Sequence, residues 1–586
     1  MLFSQLAQYL TKLEKTASRL EITRILAALF KKSAVEEIDK VVYLSLGELA
    51  PKYMGIEFNL AEKMMLKAIA QATGEELKTV TKRYKQVGDL GEVVFELKKR
   101  RKISKVSVIR VYERLVEIAQ EEGTGSQERK LNHMAKLLQE LDNLSAKYVV
   151  RIPVKKLRLG FSDLTILDAL SWMKKGDKSL RKDLEDAFNV LADIGKIAKI
   201  FKTEGIKGIK NIKSEIGVPI RAAKAVAIAD PKEILEKMGG QTALEPKYDG
   251  FRVSIHIDRS RKFELSEEQN LSLFKDSRHF VRIFSRNLDN MTYMFPDVVS
   301  AAQKLKVKSA ILDGEAIAIN LKTGEFLSFQ ETVQRKRKHG VGQKAKEIPL
   351  KVFVFDLLYL NGQSLLAKSF KQRRRLLEAV LQKSQGEEKG IVLTKQKIVK
   401  KPEEFESFFK EVVDKGLEGL MAKKLDAVYQ AGARNFVWIK YKVGMKSELA
   451  DTVDCTVMGY YRGRGKRSQF GIGAFLVGVA NAKGEILSVS KIGTGLTDKQ
   501  WREMFKRCEE LKISKQPEVY KINKNLKPDI WCQPKLVVEI EADTITKSPI
   551  HTAGLALRFP RLKRFRDDKK VGEATTLEEL KKFVKN

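Results

Sequence analysis

Hydrophobic spacing changes twice along the chain. Up to about residue 215, apolar positions recur at intervals of three and four, as in Ile22, Ile25, Leu26, Leu29 and Phe30, which share one face of a helix. Strand alternation is missing there, so this region is predicted to be an all-α unit of successive amphipathic helices. Near Val218 the period shortens. "RVSIHI", "VRIFSR", "AILDGEAIAI" and "KVFVFDLLYLNG" read as strands, interleaved with helical runs such as "KQRRRLLEAVLQK", which predicts a mixed α and β region. From about Ala450 the helices thin out. "DCTVMGYYRG", "GAFLVGVA", "EILSVSKIG" and "LVVEIEAD" recur as short strands between Gly-rich or Lys-rich turns, the pattern of a small β-barrel. No internal repeat or long low-complexity segment interrupts the three regions.

Composition adds a partner to this outline. The 586 residues are enough for roughly three or four domains. Lys and Arg number 111 against 75 Asp and Glu, a formal balance of +36 spread along the whole chain, which points to a polyanion, nucleic acid before an anionic membrane. No apolar run approaches the ~18 residues of a membrane span, and "MLFSQLAQYLTKLEK" is amphipathic rather than signal-like. An intracellular protein, cytoplasmic or nucleoid-associated, is expected, with no membrane partner. Cys455, Cys508 and Cys532 form no CxxC pair, which excludes a disulfide framework and a cysteine-rich zinc site and predicts reduced structural thiols. "LKKRRKISK" at 97–105 carries six cations suited either to phosphate contacts or to a solvated loop. "RKRK" at 335–338 is too short to read as a nuclear signal.

The chemistry centres on "EPKYDGFRVSIHI" at 245–257. Asp249-Gly250 is a favoured hairpin turn, and Val253, Ile255 and Ile257 alternate with polar residues after it. Lys247 is thus either a surface lysine at a hairpin mouth or a nucleophile. A lysine nucleophile has to shed its proton, which requires burial or neighbouring positive charge, and has to face a phosphate held by cations. Arg252 follows five residues later, and "ARNFVWIKYK" supplies Arg434, Lys440 and Lys442. In a strand, Trp438, Lys440 and Lys442 share one face, which suits either an anion site or an edge strand with surface lysines. Asp313 and Glu315 share a face of an apolar strand, and Glu418 sits in another apolar run. Such carboxylates suit a hard cation such as Mg²⁺ or ordinary salt bridges. Phe353 and Phe355 are expected to face the same way, into the core. No HExxH, GxGxxG, P-loop or Ser-His-Asp order is present.

Taken in order, KYDGFR at 247–252, FSRN at 284–287, LDGE at 312–315, FVFD at 353–356, EGLMAK at 418–423 and WIKYK at 438–442 resemble the six core motifs of covalent nucleotidyltransferases. The match is to the three-domain ATP-dependent DNA ligases of the archaeal and eukaryotic replicative type. "GDLGEVV" at 88–94 and "LRLGFSDLTILDAL" at 157–170 are similar to that family's DNA-binding domain, and "RFPRLKRFRDDKK" to its closing motif. The resemblance implies a helical DNA-binding domain at 1–216, an α+β adenylation domain at 217–446 and an OB-fold domain at 447–586. It implies that Lys247 attacks the α-phosphate of ATP to form lysyl-AMP. AMP then passes to the 5′-phosphate of nicked duplex DNA, and the 3′-hydroxyl displaces it, in replication, repair and recombination. Glu245 would accept from the adenine amino group, Arg252 and Arg286 would hold ribose and phosphate, and Glu315 would contact ribose or metal. Phe355 and Met421 would sandwich the base. Glu418 would bind Mg²⁺, with Mn²⁺ as the alternative. Lys440 and Lys442 would neutralise the α-phosphate, with Arg434 and Trp438 nearby, and Arg558, Arg561 and Lys569 would reach the departing pyrophosphate. A joint near 443–449 would let the last domain close, and a monomer is expected.

Some residues depart from the family pattern. Pro246 stands where a large residue is usual and lacks the amide hydrogen of a strand ladder, so a local bulge is expected there. Phe251 replaces a smaller or polar residue, and "VPIRAAKAVAIAD" lacks the usual Pro-Met-Leu run. "RRKISKVSVIRVYE" occupies the place of a sliding-clamp peptide without resembling one, so clamp binding through it is not expected. The competing readings are an RNA ligase or guanylyltransferase sharing the KxDG lysine, an NAD-dependent ligase, and an inert nucleic-acid scaffold. The helical-domain motifs disfavour the first, the missing zinc cysteines the second, and the intact Lys247, Glu315, Glu418, Lys440 and Lys442 the third.

Overall fold

The structure, a computed structural model, describes residues 1–98, 103–157, 159–263, 274, 278–320, 323–337, 340–383, 390–442, 452–463, 470–542 and 544–582. The chain forms two compact units, Met1–Tyr441 and Lys442–Asn586. The predicted joint at 443–449 and the central cations of the 97–105 run, 99–102, lie outside the described residues.

The first part of the larger unit is helical, from Phe3–Glu14 to Ile194–Lys210, as the spacing predicts. Ile22, Leu26, Leu29 and Phe30 are buried in one continuous core that gathers Phe3, Leu138, Ile166 and Phe201, while Ile25 packs at its margin. The "GDLGEVV" motif does its work inside this core. Asp89 caps the helix Leu90–Leu97 by accepting from the Gly91 and Glu92 amides, and also takes the Arg151 guanidinium at 3.0 Å. Gly91 has to be glycine, since a Cβ there would lie 2.4 Å from Arg151 Nε. Lys98 is buried, and its ammonium donates to the Gln139 carbonyl at 3.4 Å, so this cation of the basic run faces inward.

Eleven strands of the described residues make two sheets between 224 and 442: β1 (Lys224–Ala227), β2 (Thr242–Lys247), β3 (Phe251–Lys262), β4 (His279–Ser285), β5 (Ser309–Ala318), β6 (Leu350–Leu360), β7 (Gln363–Ser364), β8 (Ile391–Leu393), β9 (Lys397–Val399), β10 (Gly419–Lys423) and β11 (Arg434–Lys442). The first sheet has the order β1-β11-β10-β2-β9, and the second β4-β3-β5-β6-β7 with β8 beside β6. Helices Pro231–Met238 and Pro402–Asp414 back the first sheet through Ile234, Phe405 and Phe408. The segment joining the helical region to the sheets is pinned on both sides. The Arg221 amide donates to the Asn189 carbonyl at 2.8 Å, and the Gly217 amide donates to His256 Nδ1 at 3.1 Å. Arg335 of the "RKRK" run is buried, with its guanidinium on Asp297 at 2.8 Å, so it is a core strut rather than a surface signal.

The smaller unit is strand-rich. Its central strand Val453–Arg462 pairs with Ile472–Ala480 on one side, and with Val537–Glu541 and Ile530–Cys532 in succession on the other. Helix Asp498–Glu510 packs Trp501, Met504 and Cys508 onto the sheet. Cys455, Cys508 and Cys532 are buried free thiols.

Candidate active site

Lys247 ends β2 in one sheet, while Phe251 opens β3 in the other. Asp249-Gly250 therefore joins two sheets and is not the turn of a β-hairpin, because β2 pairs with β9 and β10 while β3 pairs with β4 and β5. The reason for Gly250 is a close approach of backbones. A Cβ at this position would lie 2.3 Å from the Ala316 carbonyl oxygen of β5. The alternation after it is real, with Val253, Ile255 and Ile257 buried. The bulge expected at Pro246 is absent: β2 and β10 stay in register from Ala243↔Lys423 to Lys247↔Gly419. Pairing with β9 stops at Leu244, so Pro246 lies where β2 is flanked on one side only, a local edge that tolerates proline. Phe251 packs against Phe295 and Phe329 in the core of the second sheet.

Around Lys247 the two sheets gather carboxylates and an arginine. The Lys247 ammonium donates to Glu418, and the Glu418 amide donates to the Lys247 carbonyl at 3.2 Å, tying the residue before β10 to the end of β2. Glu315 of β5 lies opposite Arg252. Burial pushes its carboxyl up to about 7, against the pull of the Lys247 and Arg252 charges. Asp313 is not available as a cation ligand. Its carboxylate takes Arg252 through two hydrogen bonds of 3.1 and 2.6 Å and the Tyr429 hydroxyl at 3.1 Å. Arg252 also donates to the Ala223 carbonyl at 2.7 Å and to Tyr429 at 3.2 Å, so the segment entering β1 is fastened to the site. Burial pulls this guanidinium's pKa down, but the charge and hydrogen bonds of Asp313, with Tyr429 and Glu315, together outweigh it and raise it. Among the described residues no three His, Cys, Asp or Glu side chains gather into a cation cage. Glu418 and Glu315 beside one lysine suit a hard cation that takes one or two carboxylates and completes its shell with phosphate oxygens.

An aromatic floor adjoins these charges. The β5–β6 register skips Phe355, a β-bulge. Phe353 and Phe355 take half-buried positions of β6, alternating with buried Val352 and Val354, so they point the same way as expected, toward the first sheet. Phe353 stacks on Tyr248 with centroids 4.3 Å apart, whereas Phe355 meets Trp438 edge-on at 5.8 Å and joins a cluster with Met421. Glu245 pairs across the ladder with Met421 and is buried. Its Oε2 takes the Lys423 ammonium at 2.6 Å, and its Oε1 accepts from Arg374 at 3.3 Å and from Gln396 at 2.9 Å. Lys423 is itself buried, 4.3 Å from the Phe355 ring centroid and 4.5 Å from that of Trp438. Burial pulls its ammonium pKa down, with the Glu245 charge opposing.

The remaining candidates divide. Arg286 is exposed in the turn after β4 and lines a cleft with Arg252, Pro219 and Tyr429, which Lys247 does not line. In β11, Trp438 is buried toward the aromatic floor and Lys440 is two residues along on the same face, while Ile439 and Tyr441 fill the core behind. Arg434 is not brought to the site. It is exposed at the far end of β11, roughly 13 Å from Trp438 at strand rise. Lys442 opens the second unit. In that unit Arg558 donates to Thr546 at 3.1 Å, Arg561 is 4.0 Å from Glu541, and Lys569 pairs with Asp454 at 2.7 Å beside Arg566. Sequence reasoning missed Lys423, Arg374 and Tyr429. Only Lys423 carried a signal, a lysine ending the apolar run GLMAK on the face of Met421.

Similarity to known proteins runs along nearly the full length of the chain. Residues 2–171 match the DNA ligase N terminus family, residues 271–442 the ATP dependent DNA ligase domain, and residues 468–569 the ATP dependent DNA ligase C terminal region. A probable DNA ligase of Dictyoglomus turgidum is 45% identical over 99% of this chain and 97% of its own length. The DNA ligase of Sulfolobus acidocaldarius is 38% identical over 99% of this chain and 97% of its own. Among solved structures, Pmar-Lig_PreS3 shares the fold with a TM-score of 0.54 and 20% identity, covering 96% of this chain and 99% of that one.

Proposed function

The chain belongs to the ATP-dependent DNA ligase family and seals nicks in DNA with ATP, and we propose that Lys247 is the residue that carries AMP between the two substrates. Replication and repair are roles that fit the family. The observation that carries the lysine assignment is its placement. Lys247 is the amine at the seam of two sheets, held by Glu418 and felt by Glu315, with Arg252 and an aromatic floor alongside.

The chemistry then follows from the side chains. Attack needs the neutral amine, so the Lys247–Glu418 pair has to part before the nitrogen reaches the α-phosphate. A hard divalent cation on Glu418 and Glu315, Mg²⁺ or Mn²⁺, would supply positive charge to the phosphate oxygens and compete with the lysine for Glu418. Pyrophosphate leaves as the N–P bond forms. Lys440 and Lys442 neutralise the α-phosphate, and Arg286, together with the uncommitted N–H of Arg252, holds ribose and phosphate. Phe355 and Met421 sandwich adenine. The free lone pair of Glu245 Oε2 accepts from its amino group, since a carboxylate has about four acceptor sites and three are taken. Nucleotidyl transfer of this kind rests on positioning and charge neutralisation rather than a proton relay.

The domain reading is 1–216 for duplex binding, 217–446 for adenylation and 447–586 for an OB-fold, with Arg558, Arg561 and Lys569 acting on pyrophosphate. The Lys569–Asp454 pair has to open for that role. The chain acts as a monomer on nicked duplex DNA. Incubation with Mg²⁺ and α-labelled ATP, GTP or NAD⁺ tests the reading. Label from ATP that survives denaturation is expected, while label from NAD⁺ alone, or none, overturns it.

A further inference from the structure

The buried charges around Glu245 go beyond what forming lysyl-AMP requires. A carboxylate with 1% exposure is tied to a lysine with the same exposure at 2.6 Å and to a nearly buried arginine at 3.3 Å. Each cation is in turn fixed by a second element. Arg374 donates to the Thr394 carbonyl at 2.9 Å and to Glu378 at 2.8 Å, and Lys423 lies over Phe355, Trp438 and Phe370 within 4.9 Å of each centroid. Charges this deep are costly unless paired, and removing one partner strands the other. Such an arrangement has a use where the carboxylate must stay ionised and point one way.

We propose that Lys423 and Arg374 are positioning residues that hold Glu245 as an acceptor-only reader of the purine 6-position, so that 6-amino purine nucleotides are taken and 6-oxo purine nucleotides are rejected. The inference rests on the reading of Lys247 as the AMP carrier and of Phe355 and Met421 as the base clamp. An ionised carboxylate offers no donor. An amino group at position 6 completes the last Oε2 site, whereas a carbonyl there sets oxygen against oxygen with no proton between them. Met421 is the cross-strand partner of Glu245, and Lys423 lies two residues beyond it on the same face, so the reader sits beside the clamp. A polar group built to bind one edge rejects a mismatched edge by large factors, because the loss leaves it unpaired.

The test uses the full chain and α-labelled ATP, ITP and purine riboside triphosphate, which lacks any 6-substituent. Wild-type protein is expected to form the lysyl-nucleotide at least about a hundredfold faster from ATP than from ITP, with purine riboside triphosphate in between. Lys423→Met and Arg374→Met are expected to lower the ATP:ITP ratio by about tenfold or more, and Lys423→Arg to restore most of it. Equal use of ATP and purine riboside triphosphate by wild-type protein overturns the inference, and this arm needs no variant to fold. So does a ratio unchanged in both Met variants while they melt cooperatively and bind nicked duplex. Absence of any label on Lys247 overturns the underlying reading instead.

Discussion

Glu315 ties the site to pH. Its carboxyl is pushed up to about 7 by burial, above its ordinary value of 4.5. A folded-state value raised in this way makes the neutral carboxyl an asset at low pH. That stability is present below the unfolded value and is lost as pH rises through 7. Glu315→Gln is therefore expected to melt about 3 °C above wild type at pH 8, with the gap closing toward pH 4.5, while losing adenylate formation. Melting curves across that range check it; a constant gap contradicts it. Glu418 makes a second prediction. Glu418→Ala removes both the lysine's partner and a cation ligand, so the Mg²⁺ concentration giving half-maximal adenylate formation is expected to rise at least about tenfold. Titration with Mg²⁺ measures it, and an unchanged requirement places the cation elsewhere.

At the scale of elements, the crossover from β2 to β3 is held by backbone packing rather than turn chemistry. Gly250→Ala would bring a methyl against the Ala316 carbonyl, separating β3 from β5 beside Lys247. A loss of about 1–3 kcal/mol in denaturant unfolding is expected, with slower adenylate formation. An unfolding midpoint equal to wild type contradicts it. This position also marks the limit of what the sequence makes legible. Turn propensity is local, and Asp-Gly satisfies it whether the next strand joins the same sheet or another. The partner strand is chosen by burial far away in the chain. The same limit hides the bulge at Phe355: period-two alternation places it with Phe353 correctly, but only the register against β5 reveals the skipped residue. Helices up to residue 210 were legible because the apolar period repeats over many turns, and the family because six motifs stand in order. Arg374 was not, and Lys423 only by its place at the end of an apolar run, since a buried cation reads as a surface one until its carboxylate partner is known.

The whole molecule carries +36 formal charges and seals a polyanion. Contacts to phosphates release counterions, so affinity for nicked duplex is expected to fall on the order of a thousandfold between about 50 and 200 mM salt, with no preference for sequence around the nick. Fluorescence anisotropy on two unrelated duplexes measures both, and a shallow slope or a strong sequence effect contradicts this view of binding. The central claim concerns one atom, Nζ of Lys247, as the waypoint of AMP from ATP to DNA. It is tested most directly by isolating the chain after reaction with α-labelled ATP, mapping the labelled peptide, and then adding unlabelled nicked duplex. The account predicts one adenylate on the peptide containing Lys247, its quantitative loss to the 5′ end of the nick or to free AMP on sealing, and no label in Lys247→Ala. Label on another residue, or full labelling of Lys247→Ala, would contradict it.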